Sequence, residues 1–301
     1  MAISGGDRTW VVYQGPPRWD GEKYVDGDRF FLSGHRALQG REGVELAMDW
    51  GGLERPSSEY RYDTSVNIPG ARLTSVIDGR REITGGINIL GDTPAEVRAN
   101  KNKWMLNHPD KEPGRLWFFS SNSMPRYLLA VKSETAGLSS LPKDPAIRKL
   151  YEGFEWGWTS DDAYFRGYRE TQPLRKTGTN KYSRTFFNTS TVEHVYPVLF
   201  LPGGPGVQYR ITKGYNRGTF VTPTISANEE VRINFDPQEA TYLKRNLTTG
   251  QITNLWPTLA GDRPRLSLEA NTKNTFEVEV VSGTPEKEPR LVYVPLYKSW
   301  N

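Results

Sequence analysis

The residues of this chain that could do chemistry are few and scattered. Its three histidines, His35, His108 and His194, lie far apart, and no His-Glu-x-x-His or similar pairing gives the spacing a zinc site needs. His108 precedes Pro109 at the end of a helical pattern, where a cation is mildly favoured against the helix dipole. His194 opens an apolar strand, and both read as structural. Cysteine is absent, which removes thiolate ligands, disulfides and cysteine nucleophiles together. Asp161-Asp162 offers adjacent carboxylates, and with Glu155 they would suit glycoside hydrolysis if a cleft gathered them. Adjacent residues on a strand face opposite sides, however, so a turn or cap role fits the pair better. The run Leu201-Pro202-Gly203-Gly204-Pro205-Gly206 has the glycine content of a phosphate-cradling loop. It lacks the Lys-Ser/Thr of such a loop, and its prolines remove backbone donors, so it reads as a turn. The Gly-x-Ser-x-Gly of hydrolases is also missing. No catalytic residue, cofactor or metal ligand is assigned, and the chain reads as non-enzymatic.

The elements that must carry these residues are mostly strands. The chain has 301 residues, 29 Gly and 21 Pro, so turns are frequent and long helices are not expected. Aromatics make up 12%, with nine Trp and fifteen Tyr, which suits thin β layers and interfaces. Apolar alternation marks strands at Thr9–Tyr13, Gly43–Asp49, Arg81–Leu90, Arg115–Phe119 and Tyr127–Lys132. In Glu155-Trp156-Gly157-Trp158 the two indoles share one face. The rhythm continues at Val195–Leu201, Gln208–Thr212, Thr219–Ile225, Glu230–Phe235, Arg265–Leu268 and Thr275–Val281. One helix is predicted over 94–107. Thr93 is its N-cap, Pro94 its first residue and Glu96 completes a capping box. Val97 and Trp104 share one face of it, and His108-Pro109 stops it. Such a helix covers a face or end of a β-barrel.

The net charge of +4, from 39 basic and 35 acidic residues, is too small to imply nucleic-acid binding. The densest basic pairs, Arg80-Arg81 and Lys244-Arg245, read as ordinary solvated charges. No apolar run has membrane-spanning length, and Met1–Gly6 is too polar for an export signal, so no membrane partner is expected and synthesis is placed in the cytoplasm. The fold class is mainly β, an N-terminal barrel-like domain with one helix and a C-terminal β-sandwich. Expected boundaries are 1–170 for the first domain, 171–184 for a polar, basic linker, 185–288 for the sandwich and 289–301 for a C-terminal strand or arm.

The order of several short motifs resembles the distal tail proteins of siphophages, called minor tail proteins in actinobacterial phages. In the first half these are Pro69-Gly70-Ala71, Arg81-Glu82-Ile83 and Ile87-Asn88-Ile89, then the turn Gly91-Asp92-Thr93 and the helix. Gly114-Arg115-Leu116-Trp117-Phe118, Pro125-Arg126-Tyr127-Leu128 and Gly153–Trp158 follow. Ser160–Gly167 is similar to the family's Asp-Pro-aromatic-x-Gly ending, with Ala163 where proline is usual. In the second half Val195-Tyr196-Pro197-Val198, the Gly-Pro turn 201–206 and Glu229–Asp236 match in order, although Asn234-Phe235-Asp236 departs from the usual Ile-Asp-Thr. The resemblance covers about residues 40–285.

The resemblance implies a galectin-like or jelly-roll sandwich and a six-fold ring at the tail tip of a virion. The N-terminal barrels of such a homo-hexamer make the ring and its channel. The ring joins the tail-tube protein to the tail-associated hub protein, and DNA crosses it only as a passenger. Ring closure needs a heterologous interface that uses exposed strand edges. Its candidate residues are Trp10, Tyr13, Trp19, Phe30, Phe31, Arg81 and Ile83, within the N-terminal aromatics and the strand–helix unit Arg81–Asn107. For each aromatic, simple core packing is the competing expectation. Two other functions stay open. A carbohydrate-binding receptor module would stack sugars on Tyr209, Tyr215, Phe220 and Trp256, and a tail-tube subunit would share the barrel but not need the second domain.

Overall fold

The computed structural model describes residues 9–19, 22–34, 38–47, 50–54, 56–64, 70–121, 123–133, 151–211, 220–259 and 266–300. The chain falls into two compact units, Met1–Gly167 with Tyr297–Asn301, and Tyr168–Leu296.

The first unit contains β1 (Trp10–Gln14), β2 (Arg18–Trp19), β3 (Tyr24–Val25), β4 (Arg29–Ser33), β5 (Val44–Leu46), β6 (Ser58–Thr64), β7 (Ala71–Asp78) and β8 (Arg81–Leu90). Helix α1 (Pro94–Leu106) follows, then β9 (Gly114–Ser120), β10 (Ser123–Lys132), β11 (Tyr151–Ser160) and β12 (Phe165–Arg166). One antiparallel sheet runs β4-β1-β9-β10-β11-β8-β5. Its two ends meet at a seam bridged by a turn instead of a ladder. There the Gly40 N–H donates to the Phe31 carbonyl at 3.1 Å, and the Phe31 N–H reaches the Glu42 carboxylate at 3.4 Å. The sheet is therefore a nearly closed barrel.

Alternation turns Arg81, Ile83, Ile87 and Ile89 of β8 inward. The three isoleucines join Tyr13, Phe30, Leu116, Phe118, Leu128, Trp156 and Trp158 in one core. Helix α1 plugs it with Val97 and Trp104. Its N-terminus forms as the sequence predicts, with Thr93 Oγ1 accepting from the Glu96 N–H at 3.2 Å. The Glu96 carboxylate returns to the Asp92 N–H (2.8 Å), one residue before the N-cap. Asn107 caps the other end, its side chain donating to the Lys103 carbonyl (2.8 Å) and to Asp28 (2.9 Å).

The second unit contains β13 (Glu170–Pro173), β14 (Arg175–Lys176), β15 (Lys181–Asn188), β16 (His194–Val195), β17 (Val198–Pro202), β18 (Gln208–Ile211) and β19 (Phe220–Val221). It continues with β20 (Glu229–Asn234), β21 (Thr241–Asn246), β22 (Ile252–Asn254), β23 (Leu268–Glu269), β24 (Thr272–Ser282) and β25 (Arg290–Tyr293). Two sheets, β13-β25-β17-β20-β21-β22 and β14-β15-β24-β18-β19, enclose one core as a sandwich. The last strand, β26 (Leu296–Tyr297), pairs with β12 in the first unit's sheet.

Two expected segments take a different form. Residues 171–184 are not an unpaired linker, because they hold most of β13, all of β14 and the start of β15. Apolar alternation is missing there because β13 and β14 are sheet edges and the first five residues of β15 bury no side chain. Pro173 is tolerated since an edge strand has one side free of partners. The C-terminal segment 289–301 is not one arm. Its β25 lies inside the six-stranded sheet between β13 and β17, and the chain rejoins the first unit only at Tyr297.

Candidate functional site

The seven residues expected at a ring interface separate into two groups. Tyr13, Phe30, Arg81 and Ile83 are core residues with essentially no surface to offer a partner. Tyr13 stacks on His108 with ring centroids 4.0 Å apart and donates its hydroxyl to the Asn107 carbonyl at 2.7 Å. Trp10 and Phe31 are half-buried, and Trp19 is exposed, edge-to-face with Tyr24 at 5.3 Å. Phe30 and Phe31 are adjacent on a strand and so must point to opposite sides. Only the barrel decides which of them faces in.

Arg81 also corrects the reading of Arg80-Arg81 as solvated charge, since it is 0% exposed. All five of its N–H donors point at carbonyls: Gly52 (3.0 Å), Leu53 (2.8 Å), Ala163 (3.2 and 3.0 Å) and Lys298 (3.0 Å). Its guanidinium lies 4.6 Å from the Phe165 ring centroid. A rigid planar fork can bind several acceptors at once, which an ammonium group cannot. Arg126 adds a second clamp on the returning C-terminus. It donates to the Ser299 carbonyl at 2.8 Å and lies 4.0 Å from the Tyr297 ring centroid.

His108 is buried among Tyr13, Trp104, Trp156 and Trp158. Its Nδ1 lies 2.8 Å from the Trp104 carbonyl, and its Nε2 accepts from the Trp158 indole at 3.1 Å. These partners require a neutral ring protonated at Nδ1. Burial pushes its pKa down to about 3, the Lys132 charge adds to this, and the Trp104 carbonyl partly opposes it. It is a structural histidine. His194 is exposed, and His35 lies outside the described residues.

The surface that sequence reasoning missed is the β6–β7 hairpin. It is a two-stranded sheet of its own, paired to no other strand among the described residues. Register places Tyr60 opposite Val76, Tyr62 opposite Leu73 and Thr64 opposite Ala71 on one face. Glu59–Ile77, Arg61–Ser75 and Asp63–Arg72 make the other, more polar face. Tyr60 and Tyr62 are 57% and 58% exposed, and Leu73 and Val76 are exposed as well. An isolated hairpin is marginal in water, and an apolar face on it gains stability only when something covers it. Its root is held by Asp78, which accepts from Ser58 and Tyr164, both at 2.7 Å. Burial raises the Asp78 pKa, but these bonds and the Lys298 and Arg81 charges outweigh it and leave it below the usual range. The alternation Tyr60-x-Tyr62 before Pro69-Gly70 was the available signal.

Among the described residues, the rings expected to stack sugars do not form a platform. Tyr209 and Phe220 are core residues of the second unit, Trp256 is half-buried, and Tyr215 lies outside the described residues. The Tyr209 hydroxyl is committed to the Pro202 carbonyl at 2.7 Å. Gly203 and Gly204 donate their N–H groups to the Glu229 and Ile225 carbonyls (2.8 and 3.3 Å). A Cβ at either position would strike backbone oxygen within 2.1 Å. This loop is packed turn, with those donors already used. Asp162 is held by Arg166 at 2.8 Å, and Glu155 points into solvent from β11. Among the described residues no group of three or more His, Asp or Glu could hold a metal ion, and no helix is long and apolar enough to cross a membrane.

No family model and no curated protein matches this sequence. Solved structures do. The chain is similar to phage SPP1 Dit (gp 19.1), described as a paradigm of the hub adsorption apparatus of phages that infect Gram-positive bacteria. The TM-score is 0.57 at 11% identity, over 96% of this chain and 98% of that one. It is also similar to the phage P2 baseplate in its activated conformation with Ca, at a TM-score of 0.54, 10% identity and 95% and 98% coverage. The same baseplate with Sr gives 0.52, 11%, 96% and 98%. Over nearly its whole length, the chain carries the fold of the phage Dit hub proteins.

Proposed function

We propose that this protein is a structural, non-enzymatic subunit of a long non-contractile phage tail. Six copies form a ring at the distal end of the tail, between the tail-tube protein and the hub, and DNA passes through the channel. The observation that carries the reading is the β6–β7 hairpin, seen within a fold shared with Dit along both units. Among the described residues it offers two unpaired strand edges and an apolar face of Tyr60, Tyr62, Leu73 and Val76. A neighbouring copy of the chain supplies the cover, and repetition of that one-way contact closes a ring.

The test is solution mass by light scattering with negative-stain images, on the wild type and on a Tyr62→Lys/Val76→Lys variant. A particle of about six chains with a central hole, reduced to monomers by the double substitution, is expected. Wild-type protein that stays monomeric alone and on purified tail tubes refutes the ring. So does a ring that the variant still forms.

A further inference from the structure

The outer face of the six-stranded sheet in the second unit has an uneven charge that the tail-ring reading does not use. Cross-strand register sets Arg290, Phe200, Arg232, Leu243 and Asn254 in one row, and Glu230, Arg245 and Ile252 in the next. Three guanidiniums thus share the face with one carboxylate. Glu230 pairs with Arg290 at 2.9 Å, and Arg290 lies 4.7 Å from the Phe200 ring centroid. Arg232 and Arg245 are exposed and form no ion pair among the described residues. Leu243 and Ile252 stand between them and the sheet edge, with Ile252 61% exposed.

Among the described residues no strand pairs with the edge itself. In the β21–β22 ladder the Asn246 N–H donates to the Gln251 carbonyl and the Leu255 N–H to the Tyr242 carbonyl. Bonded pairs alternate in an antiparallel ladder, so the N–H and C=O groups of Ile252 and Asn254 point away from β21, toward the free edge. The other edges of the sandwich carry the usual deterrents to pairing. β13 ends in Pro173, β14 is two residues long and both are basic, and β19 is only two residues long. β22 has neither proline nor charge.

We infer that β22 is a docking edge for an extended, acidic segment of a partner protein, which adds as a further strand. Its carboxylates point toward Arg245, with Arg232 one strand further in, and its aliphatic side chains cover Ile252, with Leu243 behind it. Strand addition takes its affinity from main-chain hydrogen bonds and its selectivity from alternate side chains, and here those alternate positions read charge. The exposed Ile252 and half-buried Leu243 argue for a polypeptide over a polyphosphate or an acidic glycan, neither of which would cover them favourably. The flat sheet likewise suits a macromolecule and not a small molecule.

The test is selection of peptides from a random displayed library on the full-length chain, followed by affinity measurements on variants. Enriched peptides are expected to carry Asp or Glu and Val, Ile or Leu two residues apart, which places both on the one face that meets Arg245 and Ile252. Arg232→Glu/Arg245→Glu should weaken them about tenfold or more, and Ile252→Pro, which removes an N–H on the free edge along with the isoleucine side chain, should weaken them severalfold more than Ile252→Ala, which removes the side chain alone. Lys273→Glu on the other sheet should leave them within about twofold. Enriched peptides without carboxylates, or unaffected by the double reversal, overturn the inference. Loss on the double reversal with Ile252→Pro no weaker than Ile252→Ala overturns strand addition. Displacement of the peptides by polyphosphate at equal charge overturns the polypeptide as partner.

Discussion

His108 makes the first unit sensitive to mild acid, and the size of the effect follows from its surroundings. The neutral ring stacks on Tyr13 and bridges the Trp104 carbonyl and the Trp158 indole N–H. Protonation would put a second donor against that N–H and a charge among apolar rings, with the Lys132 charge acting against it. The native pKa of about 3 lies below the ordinary value of 6.5. A depressed histidine contributes stability that is fully present above the unfolded value and is lost as pH falls from there toward the native one. Each pH unit in that window is worth about 1.4 kcal/mol. Stability should therefore fall by about 2 kcal/mol by pH 5. That figure depends almost entirely on the unfolded pKa, because pH 5 is still far above the native one.

The assay is urea unfolding followed by tryptophan fluorescence between pH 7.5 and about pH 5. Of the nine tryptophans all but Trp256 belong to the first unit, so the signal reports that unit. Asp28 and Asp78 have lowered pKa values, burial opposing the shift and hydrogen bonds and nearby cations outweighing it. Carboxylates of this kind begin to cost stability only below about pH 4.5, outside the window. His108→Gln should be less stable by about 1–3 kcal/mol and have a flat profile. A wild-type profile that is also flat, or a variant that falls equally, refutes the argument.

Other perturbations follow from the same contacts. Arg81→Lys replaces a five-donor fork with three donors that cannot span Gly52, Ala163 and Lys298, and should cost about 3 kcal/mol with earlier proteolytic release of the C-terminal residues. Tyr209→Phe should cost about 1 kcal/mol by leaving the Pro202 carbonyl unpaired, read from Trp256 or by calorimetry of the second unit. No measurable loss would show that bond to be replaced by water. Asp78→Ala frees both hydroxyls at the hairpin root, and faster limited proteolysis within residues 58–78 should follow with little change in the urea midpoint. Equal cleavage rates would remove Asp78 as the anchor.

Local chemistry explains what was legible beforehand. Thr93, Pro94 and Glu96 fix a helix start through bonds spanning a few residues, and His108-Pro109 ends it, so the helix is found where the sequence puts it. Alternation in β8 and the paired Trp156 and Trp158 likewise identified an inward face. By contrast, the candidate interface joined buried Tyr13 and Ile83 to exposed Trp19 because aromatic or aliphatic character does not say which side of a sheet meets water. The β6–β7 hairpin escaped notice because polar residues outnumber apolar ones in its two strands, and neither face enters a core.

The sequence by itself determined the β-rich class, the α-helix after Thr93 with its N-cap, and the lack of any familiar catalytic motif, since each rests on residue types and short-range periodicity. The tertiary structure alone decided the barrel seam, the burial of Arg81 and the free edge at β22. Arg81 is the clearest case, because its acceptors lie 28, 29, 82 and 217 residues away. A charge can be buried only when such distant carbonyls converge on it, and no local pattern encodes that convergence.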